Sequence, residues 1–379
     1  MEQTNTVTTR KPIIPLGLTP KELGVFLLLL FLNLKFAAIT IVQDRSVMID
    51  VMVYLLFIVT FNYSHWTYKS LIKTTFVIGV YTLINFSSYK LNVLMPLIII
   101  QCVSGIRLTR YLKITFIITA ITLLWMYIVF GEGTNLSGFS FIIDRKTRMT
   151  FGFGHPNSAG LYYYCLMING LLLLYFSKYK KYIPHYMFLI IPLWFYIYEK
   201  TASRSFILSI FVLYSSYIYY YLVQKYDYKA LYKLAGYVCM LMVFILTALT
   251  LYFSFTVLDN KFLDRILSKR LTYYNIFLER IDVLDFLFGS NAYKTLVIDS
   301  SYLHLLFEGG IFFFIGFCIF YVLSTVNMIN KKAWIPICII MSFMAYGLME
   351  TLLLFSMVIG TNIFWVMLYY YYKNGEMKL

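Results

Sequence analysis

Apolar runs recur along almost the whole chain, and they limit what it can fold into more than any other feature. A spanning helix needs roughly 20 mostly apolar residues. Runs of that kind fall near 23–42, 47–61, 71–86, 90–106, 112–130, 157–176, 184–199, 204–223, 231–257, 301–325, 333–349 and 351–372, several of them short. With 61% hydrophobic and 13% charged residues, the chain carries more apolar surface than a soluble domain hides. No long polar stretch separates the runs. The expectation is one all-α domain, residues 1–379, a polytopic helical membrane bundle of about 12 transmembrane helices. No small-residue cleavage site follows the first run, which therefore reads as an anchor and not a removed signal peptide.

The cysteines Cys102, Cys165, Cys239, Cys318 and Cys338 all sit within apolar runs and form no CxxC pair, so they read as small core hydrophobes. The histidines His65, His155, His185 and His304 lack metal-site spacing, and no metal or cofactor is expected.

Basic residues in short loops set the orientation. Arg107, Arg110 and Lys113, then Lys178, Lys180 and Lys181, Lys225, Lys229 and Lys233, Lys331 and Lys332, and Lys373 and Lys378 fall on one side. That side is read as cytoplasmic, together with both termini of a multi-pass plasma-membrane protein. Seven of ten arginines then face outside: Arg45, Arg145, Arg148, Arg204, Arg265, Arg270 and Arg280. Guanidinium is the better bidentate partner for phosphate and carboxylate. The plainer account is solvated loop charge paired with Asp264, Glu279, Asp282 or Asp285.

Two external segments exceed a turn, Gly131 to Pro156 and a large external loop at 258–300. In the second, Leu263, Leu267, Leu271, Tyr274, Phe277, Leu278 and Ile281 recur at helical spacing, with Asp264, Arg265, Lys269 and Glu279 off the stripe. This predicts one or two amphipathic helices at the outer interface or over a cavity.

Three motifs mark three helix starts. Arg148 to Gly160 holds Gly152, Gly154, His155, Pro156 and Asn157; Pro suits a first helical turn. In Thr201-Ala-Ser203-Arg204-Ser205, Ser203 is a natural N-cap. In Ile298 to Gly310, Asp299 or Ser300 is placed to cap, and His304 and Glu308 share a helix face. Taken singly, these are a glycine loop with a cap, a snorkelling arginine and another cap. Together, all three start spans that enter from outside, so each aims unpaired N–H groups and partial positive charge outward. If they converge near Arg148, Arg204 and Arg270, they form an anion pocket suited to phosphate. Charges within spans are costly, about 2.5–3.5 kcal/mol on insertion scales, so Glu308 is expected to face inward or be protonated. Lys35 and Glu350 are costly too, and read as lipid-phosphate contacts or as paired or snorkelling charges.

At these residues the chain resembles the Wzy-type polymerases of lipid-linked oligosaccharide repeat units, relatives of the O-antigen ligases. The Phe-Gly-His155-Pro-Asn157 segment, Ser203-Arg204, Leu267-Ser-Lys-Arg270, Leu287-Phe-Gly289 and Ile298-Asp299-Ser-Ser-Tyr302-Leu with Gly309-Gly310 carry the resemblance in order and spacing, over about residues 145–325. The Gram-positive capsule and exopolysaccharide members fit best. The resemblance implies a metal-independent, GT-C-like glycosyltransferase without a cofactor. It would transfer a growing glycan from undecaprenyl pyrophosphate onto a new lipid-linked repeat at the outer leaflet. Implied partners are that lipid-linked oligosaccharide, the bilayer, a flippase and a chain-length regulator, with no nucleic acid. Asp299-Ser300 stands where ligases carry His-Asn and polymerases often carry Asp-Asn.

The expected roles are Arg204 and Arg270 on the leaving pyrophosphate and Asp299 as general base, with Arg148, His155, Asn157, Tyr302 and His304 binding substrate. His155 is the alternative base. Rival readings are a lipid-linked glycan ligase and, from another class, a polysaccharide flippase or transporter.

Overall fold

The computed structural model describes residues 18–37, 52, 55, 56, 60, 91–131, 141–143, 146–226, 228–257, 259, 261–267, 269–290, 298–354 and 358–373. The expected spans at 47–61 and 71–86 lie outside the described residues but for four positions. Helices α1 (Pro20–Ala37), α2 (Leu91–Val103) and α3 (Leu108–Phe130) come first. A small antiparallel hairpin follows, β1 (Phe141–Ile143) with β2 (Lys146–Arg148). Then come α4 (Pro156–Tyr175), α5 (Ile183–Leu189), α6 (Ile191–Thr201), α7 (Arg204–Lys225) and α8 (Lys229–Phe255). The long segment after α8 holds three short helices, α9 (Lys261–Ile266), α10 (Arg270–Leu278) and α11 (Val283–Phe288). After it, α12 (Ser301–Leu303) runs through a π turn, His304–Glu308, into α13 (Gly310–Asn330). α14 (Trp334–Gly347) and α15 (Asn362–Tyr372) are the last helices among the described residues.

Among the described residues, five helices are long and apolar enough to cross a membrane: α3, α4, α7, α8 and α13. Their outward faces stay apolar: Ile121, Leu124 and Ile128 on α3, Phe211 and Ile218 on α7, Leu241 and Phe244 on α8, and Ile315 and Ile319 on α13 are all exposed. Apolar surface on that scale marks contact with lipid. The chain is thus a helical membrane protein.

The remaining expected spans are shorter or broken. The 184–199 run divides into α5 and α6 at Ile190, where the second of two prolines, Pro192, opens a new first turn. α14 has 14 residues, about 21 Å of helix, and is buried on nearly every side against α7, α8 and α13. The 351–372 run is two 3₁₀ turns, Leu352–Leu354 and Ile359–Thr361, before α15.

Lipid supplies no hydrophobic drive between helices, so close packing and buried hydroxyls join them. Tyr162 donates to Asn33 Oδ1 (2.6 Å), Asn33 to Thr122 (2.6 Å) and Tyr321 to the Cys239 carbonyl (2.7 Å). Ser342 on α14 donates to the Ser209 carbonyl on α7 (2.7 Å). The five cysteines are buried among these apolar contacts, as their sequence setting predicted.

α4, α7 and α13 all run away from one end of the bundle. Lys178 and Lys331 follow the far ends of α4 and α13, and Lys225 is the last residue of α7. At that far end Lys21 donates to the Ser104 carbonyl, and the hydroxyls of Ser104 and Tyr369 lie 3.2 Å apart. The lysine-rich loops and the three motif-bearing helix starts therefore occupy opposite ends.

The stripe predicted between 263 and 281 packs together. Leu271, Tyr274 and Phe277 are buried against Val257, Leu303, Leu306 and Phe307, with Leu263, Leu267, Leu278 and Ile281 packed around them. Asp264 departs from its expected place on the polar face. It is buried, and its carboxylate accepts from Thr272 N (3.1 Å) and Thr272 Oγ1 (2.6 Å), tying α9 to α10.

Candidate functional site

Each helix start is fixed by local chemistry. Before α4, Phe151, Gly152 and Gly154 all adopt left-handed conformations, folding the loop tightly. A Cβ on Gly152 would stand 2.3 Å from the Phe130 ring, so the loop closes directly onto the end of α3. His155 is the N-cap, its Nδ1 accepting from Asn157 N at 3.1 Å, and Pro156 fills the first turn. Ala202, also left-handed, turns α6 into α7, where Ser203 accepts from Phe206 N at 3.5 Å. Ser300 takes the N-cap position of α12 without a side-chain cap bond. The Asp299 carboxylate beside it is held by Arg270 of α10.

The three starts converge on Glu350, in the turn after α14. Its Oε1 accepts from Asn157 Nδ2 (2.6 Å) on α4, Ser205 Oγ (3.2 Å) on α7 and Arg270 Nη2 (3.3 Å) on α10. Its backbone carbonyl accepts from Ser301 Oγ on α12 (2.6 Å). Arg270 also meets Asp299 Oδ2 through Nε (3.0 Å) and Nη2 (2.9 Å). On the other flank Arg148 donates to Asn157 Oδ1 (2.8 Å) and the Thr201 carbonyl (2.6 Å). A continuous polar chain thus runs from Thr201 through Arg148, Asn157, Glu350 and Arg270 to Asp299. Arg204 is exposed at the start of α7, and its guanidinium reaches the Ile266 carbonyl at the end of α9.

Charge is concentrated here. Burial lowers the Arg148 pKa, opposed by Glu350 and reinforced by Arg204 and Arg270. Burial, with Arg148 beside it, pushes His155 down to about 4. Burial drives the Glu350 carboxyl up to about 7 against the pull of Arg270, and Asp299 adds to the rise. The arginines outweigh the carboxylates, so the cluster suits an anion. The side chains of Arg270, Glu350 and Asp299 are 17%, 19% and 31% exposed, so the pair remains open to solvent on one side. Among the described residues, no group of three or more His, Cys, Asp and Glu gathers as a metal site.

Five of the eight residues singled out from sequence gather in this cluster: Arg148, His155, Asn157, Arg270 and Asp299. Arg204 stands at its edge, close enough to Arg148 for its charge to be felt. No protein-family model, curated protein or solved structure matches the chain. The case for function therefore rests on this geometry and on the sequence motifs.

Three expectations need correction. Tyr302 is fully buried and donates to the Met344 carbonyl (2.6 Å), so it packs α12 against α14 instead of meeting substrate. His304 is turned to Glu308 (2.7 Å) and to the Ile298 carbonyl (2.9 Å), holding the residue just before Asp299. His155 is a poor alternative base. Its Nδ1 lone pair caps α4, so the neutral ring carries its proton on Nε2 and presents a donor.

Glu350 and Ser205 were missing from the expected site. Glu350 did carry a signal, as a lone carboxylate between two apolar runs. Ser205 carried none apart from its place beside Arg204.

Proposed function

We propose that this protein is a polymerase of lipid-linked oligosaccharide repeat units, working at the outer leaflet of the plasma membrane. One observation carries the reading: three helix starts meet with Arg148, Arg204, Arg270 and Asp299 at the end of the bundle opposite the lysine-rich loops. The tendency of short basic loops to stay in the cytoplasm supports reading the arginine cluster as external. The outward order of motifs resembles that of the Wzy-type polymerases.

In this scheme the diphosphate of the donor lipid lies against Arg148, Arg204 and Arg270. The acceptor hydroxyl attacks the anomeric carbon of the donor glycan as Asp299 takes its proton. The bond from that carbon to the phosphate oxygen breaks, and lipid diphosphate leaves with the electron pair. Fixed guanidinium charge aimed at the developing negative charge is the main catalytic contribution. Asp299 at the start of α12 favours polymer growth over ligation, since the ligases carry histidine and asparagine there.

Reconstitution tests this. Purified protein in liposomes, given one lipid-linked repeat unit and EDTA, is expected to produce a ladder of longer lipid-linked glycans. Movement of the lipid between leaflets with no ladder would favour a flippase and end the polymerase reading. Transfer of the glycan to a different acceptor would favour a ligase.

Arg204→Lys is expected to lower polymerisation by about 10- to 100-fold with protein yield unchanged. Lysine keeps the charge and loses the planar fork that binds phosphate oxygens in pairs. Wild-type polymer length from that variant in cells would count against the assignment of Arg204.

A further inference from the structure

Arg270 already has two carboxylate partners, Asp299 at 2.9 Å and Glu350 at 3.3 Å. An incoming diphosphate on this arginine meets both negative charges. Asp299 is the more exposed of the two and lies at the open side. Glu350 lies deeper, and one of its oxygens takes donors from α4, α7 and α10. We infer that Glu350 takes up a proton when a diphosphate binds, releasing Arg270 to the anion. This rests on the reading of the cluster as a diphosphate site and deepens it, by making binding proton-linked.

The surroundings are suited to such an exchange. Arg270 and Tyr274 face Glu350 from α10, Asp299 from the start of α12, and Tyr346 from α14. Arg148 stands behind Asn157. Protonated Glu350 still accepts from Asn157 and Ser205, so the three helix starts stay joined when its charge is lost. The proton comes from solvent through the open side, and no covalent bond is made or broken.

The sign follows from the raised pKa. Near pH 6 the Glu350 carboxyl is mostly neutral in the free protein, and the anion binds without taking up a proton there. By pH 8 it is ionised, and binding must recruit a proton. Affinity should therefore fall by about tenfold between pH 6 and pH 8 on account of this one group.

The test uses the full-length protein in nanodiscs and two probes, inorganic pyrophosphate and farnesyl diphosphate. Calorimetry in buffers of different ionisation heat counts the protons taken up. Glu350→Gln should remove about tenfold of the pH dependence and bind at pH 8 as the wild type binds at pH 6. The comparison between proteins cancels each probe's own titration. Glu350→Asp keeps a titrating group and guards against a folding defect in the glutamine variant. It should retain proton uptake with a shifted midpoint. Parallel pH curves for all three proteins would overturn the inference.

Linkage seen with both probes assigns it to the diphosphate, and linkage with farnesyl diphosphate alone assigns it to a lipid headgroup. Loss of polymerisation with linkage intact would remove the polymerase reading and leave this one standing. A polymerase with no linkage would do the reverse.

Discussion

Arg270→Ala is expected to abolish the proposed polymer formation, with a loss of about 10²–10³-fold or more, and to destabilise the arginine-bearing end of the bundle as well. Arg270 is the only cation in direct contact with the Asp299 and Glu350 carboxylates among the described residues. Without it, two carboxyl groups share a partly desolvated site with no cation between them. Breaking a buried pair by removing one member costs about 3–5 kcal/mol, and partial exposure here brings that nearer 2–3 kcal/mol. The lost stability has a specific signature. Adding Glu350→Gln to Arg270→Ala should recover more of the melting temperature at pH 9 than at pH 6, because the penalty of a carboxyl left without its cation grows as the pH rises. It should recover no activity, because the guanidinium is still missing. Thermal unfolding of the four proteins, followed by tryptophan fluorescence, measures the coupling. An Arg270→Ala protein that melts like the wild type would show that the ion pairs contribute nothing.

The sequence made the local features of this region legible and left their assembly hidden. The stripe from Leu263 to Ile281 was readable because helical spacing is a local property, and those residues do pack together. The helix starts were readable because proline, serine and glycine act on their own turn. Glu350 was the reverse case. Its partners lie on α4, α7 and α10, from 80 to 193 residues away in the chain, and no periodicity links them. Only its cost in an apolar setting marked it out. Asp264 was misread because Thr272, which satisfies it, lies across a turn and not on the same helix face. The reading of His155 as a base failed because capping uses the lone pair that catalysis needs, and capping depends on backbone angles. Span counting was weakest where helices are buried in protein. There, a short helix such as α14 and a broken run such as 351–372 are tolerated, because neighbouring chain, and not lipid, surrounds them.

Gly310→Ala is the second large effect, and it acts through shape alone. Gly310 sits at φ +78°, where a side chain is strained, and an added Cβ would lie 2.5 Å from the Leu287 carbonyl oxygen. The next atoms it would meet are Phe288 C at 2.8 Å and Gly289 N at 2.9 Å. All three are backbone, so no side chain can swing aside. Strain and clash together should cost about 3 kcal/mol or more. The damage reaches the candidate site by a short route. The turn at Gly289 is pinned by Ser290 N donating to the Phe307 carbonyl (2.6 Å), inside the π turn. That same turn carries His304, which holds the Ile298 carbonyl and thereby the position of Asp299. Lifting α11 off the start of α13 therefore moves Asp299, the proposed general base. Gly316→Ala, two turns further along α13, is the matched control, since nothing lies within 4 Å of its added Cβ. It should melt at or slightly above the wild-type temperature, because alanine is the better helix former. Equal melting temperatures for the two variants would mean that the contact between α11 and Gly310 does not hold this end of the bundle together.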